Sequence, residues 1–81
     1  MKKTLYFIMD YFDRNVIKEI MNKYGMPQEE AARGFLTSET HAMLEDADLG
    51  LYFFSPAGIF DMWEAEKVTG DPRNSIYVRG E

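Results

Sequence analysis

The sequence predicts an all-α domain: a compact bundle of three to four helices with an extended aromatic connector and a short extended C-terminal tail. Three observations carry this expectation. Leu5, Ile8, Met9, Phe12, Val16, Ile20 and Tyr24 recur at three-and-four spacing, the stripe of one amphipathic helix. Helix-stop and helix-start residues punctuate the chain at Gly25, Pro27, Ser55-Pro56 and Gly70. Residues 44–63 hold the single Trp and three of the six Phe, which supply most of the burial available to a small core.

The first helix is expected at about residues 4–24, with Lys23 near its end, where a cation suits the helix dipole, and Gly25 as its stop. Residues 4–9 are apolar at nearly every position, so a short strand leading into the helix is the alternative there. Met26-Pro27-Gln28-Glu29-Glu30 starts the second helix: proline is tolerated in the first turn, and two acids meet the positive end of the dipole. Ala31, Ala32, Phe35 and Leu36 give it an apolar face, and Gly34 marks a close approach of another helix. Thr37-Ser38 breaks and recaps the chain, and residues 39–46 form a further short helix with Met43 and Leu44 inward.

Asp46-Ala47-Asp48-Leu49-Gly50 reads as a turn, and Leu51-Tyr52-Phe53-Phe54 as an extended, buried connector. Ser55 is a strong N-cap, and Pro56 fits the first helical position. The helix that follows runs to about Thr69, with Ile59, Phe60, Trp63 and the aliphatic stem of Lys67 along one face; Gly70 and Asp71-Pro72 end it. Trp63 is expected in the core. Residues 73–81 alternate Ile76 and Val78 with Tyr77 and Arg79, an extended tail that docks as an edge or hangs loose. The whole, residues 1–81, reads as one domain with a tail at 71–81.

Composition narrows the function classes. The chain of 81 residues is 46% hydrophobic and 15% aromatic, so it is built to fold. It has no cysteine, which removes disulfide and thiolate chemistry and makes a reducing cytoplasm the simplest home. The N-terminal apolar run is cut short by Asp10 and Asp13, too soon for a signal peptide or a membrane span. Net charge is −5, but residues 29–66 set nine acids against Arg33 alone. Such a segment disfavours nucleic-acid backbones and anionic lipid and suits a basic partner.

No constellation announces catalysis. His41 is the single histidine, and its expected contact is a surface one with Glu45 four residues on; two ligands do not make a metal site. Asp10 with Asp13, and Asp61 with Glu64, have helical spacing, but acids at such spacing ordinarily form a solvated face. Ser38 and Ser55 are better explained as helix caps than as nucleophiles. No catalytic residue, metal or cofactor is therefore assigned. The apolar surplus in Tyr52, Phe53, Phe54, Phe60, Met62 and Trp63 divides between pure core and core plus exposed patch. Tyr52, Phe54 and Met62 are candidate anchors for a partner, with Asp61 and Glu64 as their charged flank.

Phe35-Leu36-Thr37-Ser38-Glu39-Thr40, Met43-Leu44-Glu45-Asp46, Gly50-Leu51-Tyr52, Ser55-Pro56 and Ile59-Phe60-Asp61-Met62-Trp63, taken in order, resemble a small uncharacterised bacterial helical family. The resemblance covers about residues 24–66. It implies a short cytoplasmic helical protein, of a kind found near mobile-element or toxin-like genes, with an interaction role and no assigned catalytic residues. The expected function is thus a protein–protein interaction module, antitoxin-like or accessory to an operon partner, that meets a protein with a basic or apolar surface or a second copy of itself, and neither membrane nor nucleic acid directly. One alternative is an acidic inhibitor that imitates nucleic acid in a basic groove; another is a small enzyme whose site lies between subunits.

Overall fold

Helix α1 (Lys2–Tyr24) takes in the N-terminal run as well, so residues 4–9 are helical rather than strand. Its stripe of Met9, Phe12, Val16 and Ile20 is buried, and Ile8, Ile17 and Met21 pack at its margins. It ends where expected: Gly25 takes a left-handed φ of 68°, which an L side chain adopts only at a cost, and its N–H donates to the Met21 carbonyl at 2.9 Å. The computed structural model describes residues 2–75, with side chains from Phe7 to Ser75 except those of Ala47 and Tyr52. The tail expected for residues 73–81 therefore lies, from Ile76 onward, outside the described residues.

Among the described residues the fold is all-α and contains no strand. Helices α2 (Gln28–Leu36), α3 (Glu39–Glu45) and α4 (Pro56–Thr69) follow α1, with 3-10 turns at Ala47–Leu49, Leu51–Phe53 and Pro72–Asn74. Helix α1 packs on α2 and α4, and α4 packs on α3 and on the Pro72–Asn74 turn. The radius of gyration, 12.0 Å, matches the roughly 12 Å expected of a close-packed chain this long.

Helix α2 buries Ala31 and Phe35, four residues apart; Leu36, expected on the same face, is 45% exposed because the short helix presents only that narrow stripe. Ser38 caps α3, its Oγ accepting the His41 N–H at 3.1 Å, while its own hydroxyl donates to the Phe35 carbonyl at 2.6 Å. A seven-residue helix does not hold itself together. Its start is secured from outside by Glu66 on α4, whose carboxylate accepts the N–H groups of Glu39 (3.0 Å) and Thr40 (2.9 Å) and the Thr40 hydroxyl (2.7 Å). Arg73 adds an ion pair to Glu39 at 2.9 Å.

The connector differs from the extended segment expected. Gly50 enters the left-handed region at φ 68°, and the chain closes into a 3-10 turn, with the Phe53 N–H on the Gly50 carbonyl and the Phe54 N–H on the Leu51 carbonyl. A three-residue period stacks positions three apart on one side. Leu51 is accordingly buried and Phe54 half-buried, while Phe53 points outward and is 82% exposed.

Helix α4 starts at Ser55, whose Oγ accepts the Gly58 N–H, and stops at Gly70 with φ 84°. It buries Gly58, Ile59, Phe60, Met62 and Trp63, an arc of roughly 200° at 100° per residue. That is wider than the single face expected, because α4 lies against α1 on one side and α3 on the other. Met62, read from sequence as a surface anchor, is fully buried for this reason and is a core residue. Trp63 is 2% exposed, as expected, and its Nε1–H donates to the Gly34 carbonyl at 3.2 Å; the helix approach expected at Gly34 is not a close one, since a Cβ there would meet Trp63 Cζ2 at an ordinary 3.8 Å.

Candidate functional site

Of the five residues expected to form an interaction surface, the four whose side chains are described do not share one. Met62 is inside the core. Nothing of the Tyr52 side chain lies within the described residues. Phe54 lines one cleft, and Asp61 and Glu64 line another.

The first cleft is an open groove of about 490 Å³ between the N-terminal half of α1 and the entry to α4, lined by Phe7, Ile8, Tyr11, Phe12, Phe54 and Pro56 together with Ser55. Phe12 is buried and forms the floor, its ring edge-on to Tyr11 with centroids 5.8 Å apart. Phe7 is 76% exposed and Tyr11 51%. The helix places both: four residues apart, they lie one turn from each other on the side of α1 away from its buried stripe. The signal in the sequence is two aromatics off the apolar stripe at an i, i+4 spacing, outside the candidate anchors of residues 44–63. Large aromatics held together in solvent are uncommon on a chain that acts alone.

The second cleft is polar. Glu64 accepts from Lys23 Nζ at 2.6 Å and from the Tyr24 hydroxyl, and Asp61 accepts from the Ser75 hydroxyl at 2.6 Å. Burial pushes the Glu64 carboxyl up, but the hydrogen bonds from Lys23 and Tyr24 outweigh it and hold the group below the ordinary value. Tyr24, expected inward, is half-exposed, its ring edge-on to Trp63 at 6.0 Å. Glu64 thus ties the end of α1 to α4, and Asp61 ties Ser75, just past the Pro72–Asn74 turn, back onto α4.

His41 departs from its expected place on the surface. It is 7% exposed, its Nε2 lies 3.0 Å from Asp13 on α1, its Nδ1 lies 3.6 Å from Glu45, and Phe35 meets its ring edge-on at 5.1 Å. The hydrogen bond to Asp13 raises its pKa, burial lowers it, the nearby charges of Asp13 and Glu45 raise it, and the balance is upward. Asp10, the other half of the acid pair at the start of α1, is instead engaged by Arg14 at 3.0 Å. The Ser38 hydroxyl serves the backbone at both ends and does not bond the His41 ring. Among the described residues no group of three or more His, Asp or Glu is disposed to hold a metal ion, and no helix is long and apolar enough to cross a membrane.

What this surface can do chemically is receive apolar side chains. The groove is lined mainly by apolar side chains, and its polar side chains are Tyr11 and Ser55, the latter's hydroxyl capping α4. No protein-family model, curated protein or solved structure matches the chain.

Proposed function

We propose that this chain is a small protein–protein interaction module that takes an apolar segment of a protein partner, flanked by basic residues, into the groove of Phe7, Tyr11 and Phe54. The observation that carries the reading is the exposure of Phe7 and Tyr11 beside a preformed apolar groove. Phe and Tyr are rigid, large in area and cheap to order, the properties of binding anchors. The net charge of −5 supplies the sign of the partner, since a field of that sign speeds encounter with a basic surface. Lack of cysteine accords with a cytoplasmic setting, and an accessory role beside an operon partner is compatible with it.

The rival is charge imitation of nucleic acid, which the acids of residues 29–66 favour. Affinity capture with the wild-type chain and with a Phe7→Ala/Tyr11→Ala variant, followed by mass spectrometry, identifies proteins held by the wild type alone. Association and dissociation rates of such a protein are then measured against salt. Aromatic anchoring predicts that the double variant, folded as the wild type, dissociates at least tenfold faster, one decade being about 1.4 kcal/mol, and that salt mainly slows association. If Phe7→Ala, Tyr11→Ala and Phe54→Ala leave dissociation unchanged while a Glu30→Lys/Asp48→Lys protein, both positions being exposed, loses binding, charge imitation replaces the proposal.

A further inference from the structure

The two nitrogens of the one histidine face carboxylates on two different helices. Nε2 of His41 lies 3.0 Å from Asp13 Oδ1 on α1, and Nδ1 lies 3.6 Å from Glu45 Oε1 on its own helix, α3. The ring is buried at the junction of three helices, with α2 turning the Phe35 ring toward it. The acid that α4 turns toward α3 is Glu66, already engaged with the backbone of Glu39 and Thr40. In the turn after α3, Asp46 accepts the N–H of Asp48. Asp13 and Glu45 are therefore the charges that the ring answers to.

A neutral imidazole has one N–H and one lone pair; an imidazolium has two N–H groups. Beside two carboxylates the imidazolium is the favoured form: its Nε2–H donates to Asp13, and Glu45, at 3.6 Å beyond hydrogen-bond reach, attracts its charge. We propose that His41 is a protonation-controlled clamp that holds the middle of α1 to α3 and releases it as pH rises. The clamp does not depend on what fills the groove. Its sign follows from the folded-state pKa being raised above 6.5: the stabilisation is complete below the unfolded value and is lost as pH climbs through the folded one. Asp13 lies two residues from Tyr11, so the released segment includes a wall of the groove.

The test uses the full chain. The His41 ring carbon and nitrogen resonances are followed by NMR from about pH 6 to about pH 9, the range in which histidine titrates. The midpoint is expected above 6.5, and Asp13→Asn and Glu45→Gln each move it down. Over the same interval the wild-type melting temperature falls, and amides of residues 9–16 and 40–44 exchange faster than intrinsic base catalysis explains. His41→Gln flattens both dependences. A midpoint at or below 6.5, or a His41→Gln protein that keeps the wild-type pH dependence, overturns the clamp. Should His41→Gln fail to fold, the Glu45→Gln protein decides, because Glu45 is exposed: an unmoved midpoint there also overturns it.

Discussion

Replacing Trp63 by Ala strikes the place where most of the core meets. The indole is 2% exposed, lies nearly parallel to Phe60 with centroids 6.3 Å apart, meets Tyr24 edge-on at 6.0 Å, and carries Lys67 Nζ 5.3 Å above its ring. Its N–H also satisfies the Gly34 carbonyl, one of the last-turn carbonyls that α2 cannot satisfy from within. Truncation of a buried Trp costs about 3–5 kcal/mol in lost transfer energy and cavity. An aromatic pair adds about 0.5–1.5 kcal/mol, and the unsatisfied carbonyl about 1–3 kcal/mol. Small domains hold about 5–15 kcal/mol in all, so Trp63→Ala consumes much or all of it. Each kcal/mol moves the melting temperature of a domain this size by about 4–8 °C. Thermal and urea denaturation followed by circular dichroism should therefore show a loss of more than about 15 °C, or no cooperative transition. Trp63→Phe keeps most of the apolar contact and loses the hydrogen bond, so it falls between the two. A Trp63→Ala protein that melts within about 4 °C of wild type would refute the burial described for Trp63 and its bond to Gly34.

Two further outcomes follow from single positions. Gly34→Ala should leave stability unchanged or raise it by up to about 1 kcal/mol: alanine is the better helix former, and the added Cβ meets Trp63 Cζ2 at 3.8 Å, ordinary contact. A melting temperature lower by more than about 8 °C would mean that the helices approach more closely than this. Glu66→Ala removes the external cap of α3 and should cost about 1.5–3 kcal/mol, the range for hydrogen bonds to a charged group, read as a lower urea midpoint. Burial raises the Glu66 carboxyl, but hydrogen bonds from Thr40 and Glu39 outweigh it and bring the group below 4.5. Its stabilisation is thus complete above the unfolded value and fades as pH falls through the folded one, so Glu66→Gln should lessen the acid sensitivity of the wild type. An unchanged acid limb in Glu66→Gln would assign that sensitivity to other carboxylates.

Most helix boundaries were legible in the sequence because they are marked by chemistry within four residues. Gly25 and Gly70 stop helices by adopting positive φ, Ser38 and Ser55 cap them with their own hydroxyls, Pro56 suits its first turn, and Pro27, expected in the first turn of α2, stands one residue earlier as its extended N-cap. The stripe of α1 and the burial of Trp63 were legible too, since a 3.6-residue period sorts one face inward without reference to a partner. The rest waited on contacts between residues far apart in the chain. Met62 is core because α4 has neighbours on two sides, which no periodicity within the helix records. His41 is buried beside Asp13, 28 residues earlier, which bonds its ring, and Glu66 caps a helix that begins 27 residues before it. Phe7 and Tyr11 carry the same apolar signature as core residues; they stay in solvent because α2 and α4 cover the other side of α1. Apolarity within a helix therefore determined what must be covered, and only the packing of the four helices decided which apolar side chains were left for a partner, because burial depends on neighbours in space and not on the residue itself.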